Sequence, residues 1–184
     1  MVIGASSGAI DALSIILPAI PKGFPLPIMI VVHLPADKKS LLSDLYRAKC
    51  RLDVREAEDK EPLLPGTIYF APPDYHLLVE SPQQLALSSE EPVLYSRPSI
   101  DVLFESAADV FGNELIGIVL TGANTDGALG LKAIHEAGGC TIVQHPKQAL
   151  AEAMPMAAIQ SCPEAQMMSL EEIASYLSQV GETR

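Results

Sequence analysis

Gly4-Ala-Ser-Ser-Gly8 follows directly on the apolar stretch Met1-Val-Ile3, and this junction decides how the rest of the chain is interpreted. A short buried strand that breaks into a helix at glycines is typical of the start of a βαβ unit. The next strand, Ile28-Met-Ile-Val-Val-His33, is a continuous apolar run, as expected of a strand covered on both faces. The pattern predicts an α/β fold, with a doubly wound, mainly parallel, Rossmann-like sheet and right-handed crossovers.

The middle of the chain departs from the alternation of strands and helices. Three strand-like runs, at 67–71, 76–79 and 84–87, follow one another across tight turns without an intervening helix. Strands joined in this way form an antiparallel meander, which we expect at the edge of the parallel sheet. We expect residues 1–184 to form a single domain, with a last helix at about 169–180.

Composition argues against several classes of function. The net charge is -11, and the 12 Lys and Arg residues are scattered, so neither nucleic acid nor an anionic membrane surface is an expected partner. No apolar run approaches the roughly 20 residues of a membrane span, and no signal peptide is visible. The three cysteines, Cys50, Cys140 and Cys162, are far apart and form no CxxC pair, which favours a reduced, cytoplasmic protein.

Three reactive side chains follow three predicted strands. Ser6 follows the first strand, His33 ends the second, and Asp126 comes soon after Ile116-Gly-Ile-Val-Leu-Thr121. The carboxyl ends of parallel strands share one edge of the sheet, and sites form there where the strand order reverses. A serine, a histidine and a carboxylate at such an edge are the components of a nucleophilic hydrolase.

Each of these residues also has a structural interpretation that the sequence leaves open. Ser6 or Ser7 could cap the first helix, and Asp126 could cap the helix that follows it. A single histidine at the end of a strand, such as His33, commonly has a structural role.

The other histidines contribute less to the predicted site. We interpret His135 as structural and keep His76 and His145 as lesser candidates. The histidines and carboxylates show no HxxxH, HExxH or His-Cys spacing, so no metal site is predicted.

The glycine loop is also similar to the nucleotide-binding loop of short-chain dehydrogenases. Three observations argue against a dehydrogenase. Position 10 is Ile where a further glycine is needed, no Tyr-x-x-x-Lys pair occurs, and no acidic residue lies about 20 positions on to hold a ribose.

Six ordered motifs of the chain resemble the catalytic domain of CheB-type protein-glutamate methylesterases, the receptor demethylases of bacterial chemotaxis. They include Gly-Ala-Ser-Ser-Gly-Ala at 4–9, a histidine after an apolar strand with Pro35 close behind, and Gly-Thr-Ile-Tyr-Phe-Ala-Pro-Pro-Asp-Tyr-His-Leu at 66–77. The others lie at 97–107, 120–130 and 139–155. Together they are spread over most of the length of the chain, from residue 4 to residue 155, and are more specific than the glycine loop alone.

The resemblance implies a role for each matched residue. Ser6 corresponds to the nucleophile, His33 to the base and Asp126 to the acid that orients the base. The implied activity is that of a carboxylic ester hydrolase, which demethylates glutamate γ-methyl esters on the cytoplasmic helices of chemotaxis receptors without a cofactor. Some members of the family also deamidate glutamines there. Candidates for the oxyanion hole and the pocket wall are Ser7, Gly8, Gly122, Ala123 and Met154.

The chain departs from the family pattern near the expected site. Ala9 replaces a glycine, Val32 replaces a glutamine, and Ala123-Asn124 replaces Met-Gly. These changes keep open the alternative of a non-catalytic or differently specific signalling module of the same fold. The phospho-receiver domain that normally precedes this domain is absent from the sequence, so we expect either a stand-alone enzyme or a fragment.

Overall fold

The computed structural model describes residues 1–33 and 41–180. Its strands are β1 (Val2–Ala5), β2 (Ile28–Val32), β3 (Asp53–Glu56), β4 (Thr67–Phe70), β5 (His76–Ser81), β6 (Gln84–Ser88), β7 (Ile116–Val119), β8 (Cys140–Gln144) and β9 (Gln166–Met168). Its α-helices are α1 (Ala9–Ile16), α2 (Leu42–Arg47), α3 (Ile100–Phe111), α4 (Ala128–Glu136), α5 (Ala153–Ser161) and α6 (Leu170–Val180).

The strands form one large sheet and one small one. The large sheet has seven strands in the order β3-β4-β2-β1-β7-β8-β9, and all of its neighbouring strands run parallel. The small sheet is the antiparallel hairpin β5-β6. The predicted α/β class with a doubly wound parallel sheet is confirmed, and the strand order reverses at β1, which lies between β2 and β7.

The predicted meander is wrong in one respect. The run at 67–71 contains β4, which does not join the antiparallel strands but pairs in parallel with β2 and β3 inside the large sheet. Only β5 and β6 are antiparallel, and they form a sheet of their own. All four residues of β4 are buried, as a strand with neighbours on both sides and layers on both faces requires.

Alternate residues of the central strands pack into two apolar layers. Ile30 of β2 belongs to the same buried cluster as Leu13 of α1 and Leu177 of α6. Its neighbour Met29 belongs to the opposite cluster, together with Phe104 of α3. Because fully burying one such side chain stabilises the fold by about 1.5–3 kcal/mol, the two layers hold the sheet, and therefore its carboxyl edge, in place.

Candidate active site at the strand-order reversal

Ser6 and His33 lie at adjacent strand ends, one residue beyond β1 and β2. The backbone N–H of His33 donates to the carbonyl of Ala5 at 3.1 Å, which continues the pairing of the two strands. The backbone N–H of Ser6 donates to the carbonyl of Thr121, beyond β7, at 2.9 Å. The three strands at the reversal point are thus tied together at the position where the sequence predicts a site.

Gly8 turns the chain from β1 into α1. Its φ is 86°, a left-handed conformation that a residue with a side chain rarely adopts, and a Cβ there would lie 2.9 Å from the Cβ of Leu150. Gly8 is the N-cap residue, and no side chain caps the helix. The interpretation of Ser6 or Ser7 as helix caps is therefore wrong, and the Ser6 side chain is left available for chemistry.

Thr121 fixes the loop that carries Ser6. Its hydroxyl donates to the carbonyl of Ser7 at 2.7 Å and accepts from the backbone N–H of Ala151 at 3.0 Å. Its own N–H donates to the side chain of the buried Gln144 at 2.8 Å. Sequence reasoning overlooked both Thr121 and Gln144, although a threonine at the end of a buried strand was a visible signal.

Gly122 lies tightly between Ser6 and Met154. A Cβ at this position would lie 1.9 Å from the Met154 sulfur and 3.0 Å from the Cβ of Ser6. Met154 is 0% exposed and donates its backbone N–H to the carbonyl of Gly122 at 3.0 Å. Met154 therefore supports the loop from behind, in the core, and is not among the residues that line the cleft beside Ser6.

His33 is bonded to the carboxylate predicted to orient it. Its Nε2 lies 2.8 Å from Oδ2 of Asp126. The His33 side chain is 11% exposed, whereas that of Asp126 is 0% exposed. An ionised carboxylate only accepts hydrogen bonds, so Nε2 carries the proton and donates it.

Asp126 also accepts hydrogen bonds from the start of α3. Its Oδ2 accepts from the N–H of Ile100 at 2.7 Å, and its Oδ1 accepts from the N–H of Asp101 and the hydroxyl of Ser99, both at 2.9 Å. The positive end of the helix dipole and these donors stabilise an anion. Burial alone would raise the pKa of Asp126, but hydrogen bonds from His33, Asp101 and Ile100 lower that pKa below its ordinary value.

The interpretation of Asp126 as the cap of α4 is wrong. The N-cap residue of α4 is Gly127, and no side chain makes a capping hydrogen bond there.

The second ring nitrogen of His33 faces Asn124. Nδ2 of Asn124 lies 2.9 Å from Nδ1 of His33, and Oδ1 of Asn124 accepts from the N–H of Asp126 at 3.0 Å. Sequence reasoning had marked Asn124 as a departure from the family pattern without predicting this contact. An Asn two residues before the acid, which favours a local side-chain-to-backbone turn, was the available signal.

Ser6 and His33 line the same open cleft of about 380 Å³, together with Val32, Asp11 and Leu150. Within residues 1–33 and 41–180, the Ser6 hydroxyl makes no hydrogen bond. The N–H of Gly122 is engaged by the carbonyl of Ala151 at 3.0 Å, so Gly122 is not a free oxyanion donor in this structure.

Three other residues predicted for the oxyanion hole or pocket wall have backbone N–H groups that remain as available donors, in or beside the loop that carries Ser6. Among the described residues, no acceptor is found for the backbone N–H groups of Ser7, Gly8 and Ala123. Ser7 and Ala123 are exposed. Backbone N–H groups in this position can stabilise negative charge that develops on a bound carbonyl oxygen.

The remaining histidines lie outside the cleft. His76 is 2% exposed, accepts from the N–H of Ser99 at 3.1 Å through Nδ1, and contacts the carbonyl of Glu91 through Nε2 at 3.1 Å. It therefore positions the segment that supports Asp126. His145 accepts from the N–H of Lys147 in a short turn, and His135 lies on the exposed side of α4.

Two features are not found in the part of the chain that the structure describes. No group of three or more His, Cys, Asp or Glu side chains could hold a metal ion among these residues. Nor is any of their helices both long and apolar enough to cross a bilayer.

The known proteins that this chain resembles match it over nearly its whole length. The sequence profile of the family described as CheB methylesterase matches residues 1–177. The chain belongs to the CheB methylesterase family. The resemblance predicted from the six motifs is thereby confirmed.

Individual CheB relatives differ in how much of their own length the chain covers. A relative from Leptospira interrogans is 46% identical over 174 residues, which are 95% of this chain and 90% of that protein. A protein named protein-glutamate methylesterase/protein-glutamine glutaminase 1, from Carboxydothermus hydrogenoformans, is 41% identical over 97% of this chain but only 54% of its own length. The chain thus spans nearly all of one relative and about half of the other.

A solved CheB structure has the same fold. The crystal structure of the Thermotoga maritima CheB methylesterase catalytic domain matches with a TM-score of 0.93 and 30% sequence identity, covering 97% of this chain and 96% of that one. The similarity includes the seven-stranded parallel sheet described above. It places the chain with the catalytic domain of its family.

Proposed function

We propose that the protein is a serine hydrolase that removes methyl groups from glutamate γ-methyl esters, with Ser6 as nucleophile, His33 as base and Asp126 as the orienting acid. The observation that carries the proposal is the 2.8 Å bond between His33 and Asp126 beside the cleft that Ser6 also lines. Family membership and the name of the Carboxydothermus relative support the choice of substrate.

In the first half of the reaction, Oγ of Ser6 attacks the ester carbonyl. Nδ1 of His33, the ring nitrogen that is not bonded to Asp126, takes the hydroxyl proton. The Asp126 carboxylate stabilises the resulting imidazolium through Nε2–H. Backbone N–H groups of Ser7, Gly8 and Ala123 are the available donors to the oxyanion.

In the second half, methanol leaves with the proton held on His33, and the glutamyl group remains esterified to Ser6. Water then attacks the carbonyl carbon of this acyl-enzyme, while His33 takes a proton from the water. His33 returns this proton to Oγ of Ser6 as the acyl bond breaks, which frees Ser6 and gives glutamate as the product. With a glutamine side chain as substrate, the same sequence expels ammonia, which corresponds to the glutaminase activity in the relative's name.

The proposed macromolecular substrate is the methylated cytoplasmic helices of a chemotaxis receptor, so the proposed location is the cytoplasm. We also propose that residues 1–184 act as one catalytic domain. Because the chain carries a net charge of -11, long-range attraction to an acidic helix is not expected. Docking would rest on local contacts, and the exposed apolar side chains of Ile10 and Leu150 line the cleft beside Ser6.

The substrate assignment is tested by offering three substrates to the native protein. They are a receptor fragment with γ-methyl glutamates, the same fragment with glutamines at those positions, and a generic carboxylic ester. We expect the highest kcat/KM for methanol release from the methylated fragment and slower ammonia release from the second. Equal or faster turnover of the generic ester would contradict the substrate assignment, and no turnover of any substrate would favour a non-catalytic signalling module.

A further inference from the structure

The Asn124 side chain is fixed in one orientation by its two partners. The backbone N–H of Asp126 can only donate, so the atom of Asn124 that it meets at 3.0 Å is the carbonyl oxygen. The amide nitrogen therefore faces Nδ1 of His33, at 2.9 Å. Asn124 is partly buried, which limits the access of solvent to this contact.

These contacts determine the tautomer of neutral His33. An amide N–H donates, so Nδ1 must be the unprotonated, accepting nitrogen, and Nε2 carries the proton that it donates to Asp126. Asp126 alone would be enough to select this tautomer. The additional effect of Asn124 is to occupy the lone pair of Nδ1.

Nδ1 is also the nitrogen that has to accept the Ser6 proton in the proposed reaction. We propose that Asn124 is a positioning residue that restrains His33, because its amide competes with the Ser6 hydroxyl for Nδ1 and must leave before Ser6 can be activated. This inference rests on the proposed function. The Ser6 hydroxyl, which has no hydrogen-bond partner among the described residues, is the group that Asn124 keeps away from the base.

The size of the restraint follows from the cost of the hydrogen bond. A hydrogen bond within the protein is more favourable than the hydrogen bond to water that it replaces. This difference in free energy corresponds to about a two- to tenfold change in rate. Asn124→Ser keeps an oxygen that can accept from the N–H of Asp126, but its side chain is too short to reach His33. We expect kcat/KM for ester hydrolysis to rise about two- to tenfold in this variant.

Two further variants separate restraint from simple packing. Asn124→Asp has the same shape but places a carboxylate beside Nδ1, so it should hold a proton there and lower kcat/KM below that of the native protein. Asn113→Ser changes the only other asparagine of the sequence. Asn113 is exposed just before β7, at the end of that strand away from the site, and the variant should leave kcat/KM unchanged.

A readout without ester turnover separates this inference from the proposed function. The ¹⁵N resonances of the His33 ring, assigned with His33→Gln, should show an unprotonated Nδ1 in the native protein and a shifted Nδ1 signal in Asn124→Ser. Labelling of Ser6 by a serine-directed fluorophosphonate should be faster in Asn124→Ser. If both hold but methanol is never released, only the substrate assignment fails. An unmoved Nδ1 signal, or labelling that is unchanged or slower in folded Asn124→Ser, overturns the restraint.

Discussion

Asp101 and Asp126 each accept hydrogen bonds from the helix associated with the other. Asp126, two residues before α4, accepts from the first backbone N–H groups of α3. Asp101, in the first turn of α3, accepts from the N–H of Gly130 in α4 at 2.7 Å. The two helices are thereby locked together at their N-terminal ends, and the carboxylate that contacts His33 is held by backbone donors that cannot rotate away.

The first prediction concerns the charge of Asp126. Asp126→Asn should lower kcat for ester hydrolysis on the order of 10⁴-fold, because an amide can donate to Nε2 and so favours the opposite tautomer of His33. The measurement is the rate of methanol release at saturating substrate, with circular dichroism as the check on folding. A folded variant that loses less than about tenfold would show that Asp126 does not orient the base.

The second prediction concerns the pH dependence of stability. Burial, followed by the nearby charge of Asp126, raises the pKa of Asp101 to about 6, although backbone hydrogen bonds oppose the shift. A raised carboxyl pKa means that the folded state binds the proton more tightly than the unfolded chain does. Stability is therefore lost as the pH rises from the ordinary value of about 4 to about 6, and the loss persists at higher pH.

Asp101→Asn removes this ionisation while keeping an oxygen to accept from Gly130. The free energy of unfolding of Asp101→Asn minus that of the native protein should increase between about pH 4 and pH 7, by at most about 3 kcal/mol. Urea unfolding at several pH values measures this difference. Asp109→Asn, at an exposed position on the same helix, is the control. A difference that stays constant with pH would contradict the raised pKa.

The third prediction concerns the close approach at Gly122. Gly122→Ala should destabilise the fold by about 1–3 kcal/mol and lower kcat/KM, because the added methyl group overlaps Met154 and presses on Ser6. Met154→Ala removes the overlapping sulfur. The double variant should therefore regain kcat/KM relative to Gly122→Ala, even though the Met154 change costs stability by itself. Full activity of Gly122→Ala would contradict the geometry described for this loop.

Patterns that depend on long apolar runs were predictable from the sequence. The β2 run was visible because both of its faces are buried, and the last helix, with its strong apolar periodicity, was expected at about 169–180 and lies at Leu170–Val180. The placement of Ser6, His33 and Asp126 along one edge of the sheet followed from the parallel topology, since strand ends at a reversal point are neighbours.

Features that depend on pairing and on local geometry were not predictable. The sequence of β4 does not reveal that its partners are β2 and β3, because a short buried run is compatible with either direction of pairing. β9 has only three residues and an exposed side, so it carries little apolar signal. The engagement of the Gly122 N–H by Ala151 depends on a loop that passes close to Thr121 only in the folded state.

The most direct test of Ser6 as the nucleophile is methanol release from a methylated receptor fragment by the native protein, Ser6→Ala and Ser175→Ala. Ser175 is exposed on α6 and serves as the matched control. We expect release by the native protein and by Ser175→Ala, and a loss on the order of 10⁴-fold or more in Ser6→Ala. Release that persists in Ser6→Ala, or its absence from the folded native protein, would contradict the assignment of Ser6 as the nucleophile of a methylesterase.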